Sequence, residues 1–282
     1  MIIKKFNNAR KYFFEHGLYF FLLQLLKKIG FKPNYTNYLE KRKYYLKKLI
    51  FNQFGNKIIS GNYKDVYLCD NFFWNEFDSV SKLLGTYEIE VQGEIKNICD
   101  TNKVKTIVNF GAGEGYHLCG SIKKNLAQAG VAFELNQNSR RALLENCKKN
   151  NITQKISING EINKDNFKNE LKSINLSKSL FLIDIEGYEY KLLTDENIDF
   201  LSKSFLIIEL HFENSENLSH YSKDLILKLK KKFNLKIMKI DYSKRKIPED
   251  NFLRFLTDDE RLILISENRN SLMSWVVATP YE

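Results

Sequence analysis

The chain is poor in the residues that settle a function at a glance. Only three of its 282 residues are proline, at Pro33, Pro248 and Pro280. The Asn/Asp-Pro-Pro-aromatic loop of some base-modifying enzymes therefore cannot be built. Its four cysteines, Cys69, Cys99, Cys119 and Cys147, are scattered and form no CxxC. That argues against a zinc ribbon and a disulfide scaffold and suits a reducing compartment. Cys119 and Cys147 fall on helical faces and read as core. The apolar run 17–26 is closed by Lys27 and Lys28, at about half the ~20 residues a membrane-spanning helix needs. No small-x-small cleavage site follows it, so a secretory signal fits poorly. The chain is 43% hydrophobic and 28% charged, which excludes a disordered polymer and fits one or two folded domains.

Charge of one sign is nearly missing from the start of the chain. Residues 1–54 carry ten Lys and two Arg against Glu15 and Glu40 alone, so the whole net charge of +10 resides there. The remaining residues are balanced, 32 basic against 32 acidic. Such asymmetry points to an arm with its own anionic partner. The arm also carries Phe6, Tyr12, Phe13, Phe14 and Phe20, and Lys and Arg flanking aromatic and aliphatic residues is the composition of an interfacial helix. Each basic residue near an anionic leaflet contributes roughly 1 kcal/mol. The expectation is a basic amphipathic helical arm, 1–54, on an anionic membrane surface, with packing on its own domain or a second subunit as the alternative. Nucleic acid fits least, because no basic track continues beyond the arm. The resulting location is cytoplasmic, peripheral on the inner face of the cell membrane.

Gly and Asn between residues 54 and 62 mark a boundary. Residues 55–103 read as a helical and irregular lead-in covering the active site, with a helix from 79 to about 99 interrupted at Gly85. From residue 104 to the end, short β-rich runs alternate with amphipathic stretches. The runs are 104–110, 131–134, 155–159, 180–185 and 205–210, with later candidates at 235–241 and 274–279. The helical stretches lie near 116–128, 138–150, 164–173 and 188–203. Thr257 and Glu260 have capping-box spacing before another helix. Strand–helix alternation of this kind implies an α/β fold with a mostly parallel sheet and helices on both faces.

In such sheets ligands bind at the carboxyl ends of the strands. The first run ends on Asn109, Gly111, Gly113 and Gly115, and the second on Glu134. The third ends on Glu161, the fourth on Asp184 and Glu186, the fifth on Glu209 and His211. The glycine spacing is G-x-G-x-G. A dinucleotide fingerprint needs its third glycine where Tyr116 stands, and no G-x-x-x-x-G-K-[ST] loop occurs. A carboxylate at Glu134 can accept both hydroxyls of a ribose, whichever nucleoside carries it.

Residues 106–116 (TIVNFGAGEGY), 132–136 (AFELN), 182–189 (LIDIEGYE) and 207–211 (IIELH) stand in this order along the chain. Together with 83–88 (LLGTYE), 264–269 (LISENR) and 275–280 (WVVATP), they resemble the FkbM-like S-adenosylmethionine-dependent methyltransferases. The resemblance covers about residues 83–282. It implies a Rossmann-like class I methyltransferase fold, a seven-stranded sheet whose last strand is antiparallel. It places Gly111, Gly113 and Gly115 under the methionine part of the cofactor and Glu134 at its ribose. Asn109, Glu161 and Asp184 complete the expected cofactor set. Asn109 stands where an acid is common, and Leu135 replaces a frequent proline.

Methyl transfer from a sulfonium needs alignment and, for a hydroxyl acceptor, removal of a proton. His211 is the first candidate base, since an imidazole of ordinary pKa is neutral near pH 7. Asp184 is the second. Glu209, Glu186 and Glu88 are expected to orient the acceptor or the base. His16, His117 and His220 lack a matching context, and His117 reads as the start of a helix. Asp184, Glu186 and Glu209 make an oxygen-rich rim of the kind a hard divalent cation prefers, but no metal is assigned. The acceptor pocket is expected from 63–90 and 242–256. The chain thus reads as an O-methyltransferase acting on a hydroxyl of a saccharide, glycolipid or related metabolite. A nicotinamide-dependent oxidoreductase, an RNA methyltransferase recruiting through the arm, and a non-catalytic cofactor-binding protein are the alternatives.

Overall fold

The computed structural model describes residues 36–69, 78–211, 220–241, 245–267, 269 and 273–281. Most of the basic arm lies outside these, as do 70–77 and 242–244 of the expected acceptor lining. The chain divides into two compact units, Met1–Tyr45 and Leu46–Glu282. Helix α1 spans Thr36–Phe54, and Leu46 and Ile50 are buried in the second unit.

The second unit is built as follows. Helices α2 (Ser79–Leu84) and α3 (Ile89–Asn102) precede strand β1 (Thr106–Phe110). Then come α4 (Tyr116–Lys123), β2 (Ala129–Phe133), α5 (Gln137–Lys149), β3 (Ile156–Asn159) and α6 (Phe167–Leu171). They are followed by β4 (Ser179–Ile183), α7 (Glu189–Leu192), α8 (Asp195–Phe200) and β5 (Phe205–Leu210). The chain closes with α9 (His220–Lys230), β6 (Phe233–Lys239), α10 (Asn251–Arg254), α11 (Asp258–Ile265) and β7 (Ser274–Pro280).

The seven strands form one sheet in the order β3-β2-β1-β4-β5-β7-β6. β1 to β5 pair in parallel, while β7 runs antiparallel to both β5 and β6. This is the seven-stranded sheet with an antiparallel last strand that the family resemblance implies. β4 and β5 are buried along their whole length, which is why they read as unbroken apolar runs rather than alternating ones. One face packs Val91, Ile95, Leu118, Ile122 and Leu143 against the sheet. The other packs Phe167, Leu171, Leu192, Ile198 and Leu225. A third cluster joins Leu46 and Ile50 of helix α1 and Ile58, Tyr63 and Leu83 of the lead-in to Tyr116, Leu253 and Leu264.

The helix expected from 79 to about 99 is interrupted at Gly85 as read from the sequence, the glycine having φ +77, and resumes at Ile89. Two elements differ from expectation for local reasons. The expected 188–203 helix is two, because Thr194 caps a new start by accepting from Asn197 N. β2 ends at Phe133, one residue early, although Glu134 N still donates to Asn159 O of β3 at 3.2 Å. The Thr257–Glu260 capping box is present in full.

Candidate active site

The strand order reverses between β1 and β4, each of which lies beside the other with its outward neighbours on opposite sides. A crevice must open above such a point, and a cavity of about 940 Å³ does so. The turn leaving β1 fits tightly against β4. Gly111 has φ +73, and a Cβ there would sit 1.7 Å from the Asp184 carbonyl oxygen. Gly115 has φ +84 and caps α4, and a Cβ there would meet Leu143 at 2.1 Å. Only glycine meets both demands.

The cavity has three sides. On the first, Glu134 is buried and accepts hydrogen bonds from Gly113 N at 2.8 Å and Asn136 N at 2.7 Å, one on each oxygen. The carboxylate is thereby fixed to the glycine turn, and each oxygen keeps acceptor capacity. Leu135, Gly160, Glu161 and Ile162 line the same side. Asn109 is buried and its amide donates to the carbonyls of Phe110 and Leu182, tying β1 to β4.

On the second side, His211 stands among four carboxylates. Its Nδ1 is 3.1 Å from Glu189 Oε1. Its Nε2 is 3.6 Å from Asp184, 3.5 Å from Glu186 and 3.5 Å from Glu209. Burial disfavours the charged imidazole, but the close contact and charge of Glu189, with the charges of Asp184 and Glu186, outweigh it and raise the pKa above the ordinary value. The ordinary pKa on which the expected neutral imidazole rested is therefore shifted upward in the free chain. Burial, then the neighbouring carboxylates, push Glu209 well above the usual range. Burial likewise raises Asp184. Glu186 sits at φ +53, in the left-handed region that a bulky residue rarely adopts.

On the third side is a network that the sequence did not disclose. Glu88, buried at φ +44, faces His117 Nε2 at 2.7 Å and pairs with Arg269. Arg269 also binds Glu209 at 2.6 Å and Glu267 at 2.8 Å. Glu267 pairs in turn with Arg245, which reaches Glu90 at 3.2 Å. Lys82 and Glu114 pair at 2.5 Å beside them. Burial, followed by the charge of Lys82, lowers the His117 pKa to about 3, so this imidazole is neutral. His117 does start helix α4 as expected, and it also lines the cavity.

Every sequence-derived site residue except Gly115 thus lines one cavity: Asn109, Gly111, Gly113, Glu134, Glu161, Asp184, Glu186, Glu209, His211 and Glu88. Gly115 lies behind the turn and shapes it. Of the expected acceptor lining, Asp78, Lys82, Tyr87 and Glu88 take part. The described residues 245–256 do not; Glu267, Arg269, Met273 and Trp275 stand there instead. His117, Arg245 and Arg269 were missed. For Arg269 the available signal was its place in the 264–269 motif, and for His117 its adjacency to the glycine turn.

Comparison with known proteins gives little beyond this. No family model matches the chain. A protein called Ycf2 from Physcomitrium patens is 27% identical over 254 residues, 89% of this chain but 10% of that protein. The chain therefore spans about a tenth of the length of that relative. Among solved structures, the O-methyltransferase TomG from Streptomyces achromogenes, in complex with SAM, superposes with TM-score 0.48 at 6% identity, covering 74% of this chain and 91% of that one. TYW2 from M. jannaschii, in complex with AdoMet, gives TM-score 0.44 at 17% identity, covering 74% and 78%.

Proposed function

We propose that the chain is an S-adenosylmethionine-dependent O-methyltransferase, similar to the FkbM-like enzymes, acting on a hydroxyl of a saccharide, glycolipid or related metabolite. The observation that carries this is the Glu134 carboxylate, held by Gly113 N and Asn136 N at the sheet's switch point. A carboxylate so fixed is built to receive a ribose, and the glycine turn beside it leaves room for the rest of a nucleoside. The charge of the cleft separates this donor from a dinucleotide. Glu134, Glu161, Asp184, Glu186 and Glu209 all line it. They suit a sulfonium cation and repel a pyrophosphate.

In the reaction the acceptor oxygen attacks the methyl carbon. The new C–O bond forms as the S–CH₃ bond breaks, the bonding pair stays on sulfur, and the hydroxyl proton leaves. The cofactor becomes S-adenosylhomocysteine. The chain's part is to align oxygen, carbon and sulfur and to take the proton. Asp184 and His211 line the cleft at the ends of β4 and β5, beside the glycine turn, and are the groups proposed to take the proton. Glu209 and Glu88, joined through Arg269, hold the wall between cofactor and acceptor. The basic arm would bring this cleft to acceptors carried on anionic membranes. Among the described residues no helix is long and apolar enough to cross a membrane.

Calorimetry decides the cofactor. S-adenosylhomocysteine is expected to bind with one site per chain, and Glu134→Ala to abolish the heat. Saturable NADH binding with none by the homocysteine nucleoside would instead favour an oxidoreductase.

A further inference from the structure

We propose that Asp184, Glu186 and His211 hold a divalent metal ion at the ends of β4 and β5. No metal was assigned from sequence, where only the carboxylates of this rim were in view. Folding adds an imidazole at their centre. One ligand atom from each of the three residues lies within 4.8 Å of the others.

The spacing is that of donors around a shared ion. His211 Nε2 lies 3.6 Å from Asp184 Oδ1 and 3.5 Å from Glu186 Oε2, with Glu209 Oε2 also at 3.5 Å. A hydrogen bond from N–H to oxygen is shorter, about 2.7–3.2 Å. Donors that share one ion through bonds of about 2.1 Å at tetrahedral angles lie about 3.4 Å apart. An imidazolium proton would draw one oxygen in; here three stand off at nearly equal distance.

The other ring nitrogen supports the same assignment. Nδ1 faces Glu189 Oε1 at 3.1 Å, and Glu189 is fully buried, anchored by the Ile185 N–H at 2.8 Å. The contact falls short of a hydrogen bond, but a carboxylate on this side of the ring stands where the partner that orients a metal-bound histidine stands, which leaves the lone pair on Nε2. Here that lone pair would meet only carboxylate oxygens, which are acceptors too. A proton or a cation must sit between them, and the stand-off of the three oxygens is the spacing expected around a cation. One oxygen bears this out: Asp184 Oδ1 is buried without a hydrogen-bond partner. A buried acceptor left so is costly.

Charge and access agree. Four carboxylates lie within 3.6 Å of one imidazole, and Arg269, which binds Glu209, also serves Glu88 and Glu267. A dication would balance what this arginine cannot. The three ligands line the cavity, and the Glu186 side chain is 68% exposed, so an ion can enter. One imidazole with two carboxylates suits a first-row ion such as Mn²⁺ or Zn²⁺ better than Ca²⁺, which takes oxygen. An acceptor hydroxyl coordinated there would lose its proton to water more readily. His211 would then hold the ion rather than receive the proton. That consequence rests on the methyl-transfer reading; the metal site itself does not.

The test uses the full chain, stripped with a chelator and titrated with MnCl₂, free Mn²⁺ being followed by electron paramagnetic resonance and the fold by circular dichroism. One ion per chain is expected, with affinity at least about tenfold weaker in Glu186→Gln and in Asp184→Asn. Glu186 is exposed, so its variant reports even if Asp184→Asn fails to fold. Absence of saturable binding of Mn²⁺ and Zn²⁺ by the folded chain overturns the site. Binding that Glu186→Gln leaves unchanged also overturns it, since the ion then sits elsewhere. S-adenosylhomocysteine is titrated into the same samples. Metal binding without nucleoside binding would sink the functional reading and leave the site standing; the reverse result would sink the site alone.

Discussion

The cleft holds two histidines in clusters of opposite character. His117 lies in a network where anions alternate with cations: Glu88 with Arg269, Glu114 with Lys82, Glu267 with Arg245. His211 lies among four carboxylates with no cation in direct contact among the described residues. Burial disfavours charge on both rings. At His117 nothing overcomes it, and the pKa falls to about 3. At His211 unbalanced carboxylates do overcome it, and the pKa rises. The lesson is that balance of charge, rather than depth of burial, separates a fixed structural imidazole from one that attracts a positive partner.

The largest effect is expected from unbalancing the first cluster. Arg269→Gln leaves Glu88, Glu209 and Glu267 together without their shared guanidinium, and these carboxylates are all but inaccessible. Removing one partner of a buried pair costs about 3–5 kcal/mol. Urea unfolding should show a loss in that range. A loss near zero would mean that the network is hydrated and that the two clusters are alike.

A pH titration sharpens the comparison without mutation. An unfolded histidine takes up its proton near pH ~6.5. Folded His117 does so only near pH 3, so acid favours the unfolded chain. Stability from this group is complete above the unfolded value and falls as pH drops towards 3, by a few kcal/mol on the order of 1.4 per unit. His211 works the other way. Its raised pKa stabilises the fold below pH ~6.5, and that contribution is lost as pH rises through the folded value. In proton–carbon correlation spectra, His117 should stay neutral down to about pH 4, while His211 titrates above the ordinary range. Both rings titrating together would erase the distinction.

How much of this could be read beforehand follows from sequence distance. Buried parallel strands are apolar runs, and the first polar residue after each run marks the rim. Glu134, Asp184 and His211 were legible for that reason, as was the sheet order's antiparallel last strand through the family resemblance. Glu88 and Arg269 meet across 181 positions, and Arg245 meets Glu90 across 155. No local pattern encodes such pairs. His117 looked like an ordinary first-turn residue because its partners, Tyr63 and Glu88, come from the lead-in. Local chemistry was likewise too weak to place the break at Thr194, where one capping hydroxyl outweighs continued helical periodicity.

An intermediate effect is expected at the cofactor wall, where both clusters face the glycine turn. Glu134→Gln keeps the shape of the side chain but turns one acceptor oxygen into a donor amide, facing Gly113 N or Asn136 N. Hydrogen bonds to a charged group are worth about 1.5–3 kcal/mol. Calorimetry should show S-adenosylhomocysteine binding weakened roughly 10- to 100-fold, with both histidine signals unmoved. Unaltered affinity would place the ribose elsewhere.

The smallest effect concerns strain in the second cluster. Glu186 holds φ +53 and is followed by Gly187 at φ +91, so two successive residues occupy the left-handed region. A residue with a Cβ costs roughly 1–2 kcal/mol there, and glycine does not. Glu186→Gly relieves that strain but gives back part of it through the larger freedom of the unfolded chain. The net expectation is a gain of about 1 kcal/mol, or some 2 °C in Tm for a chain of this size. The same variant removes a carboxylate from His211, so the imidazole pKa should fall. A more stable protein with a less basic His211 is the pattern of a residue kept at a strained position for its charge. A less stable one would mean that the Glu186 side chain holds the turn itself, and that the carboxylates around His211 are a consequence of packing.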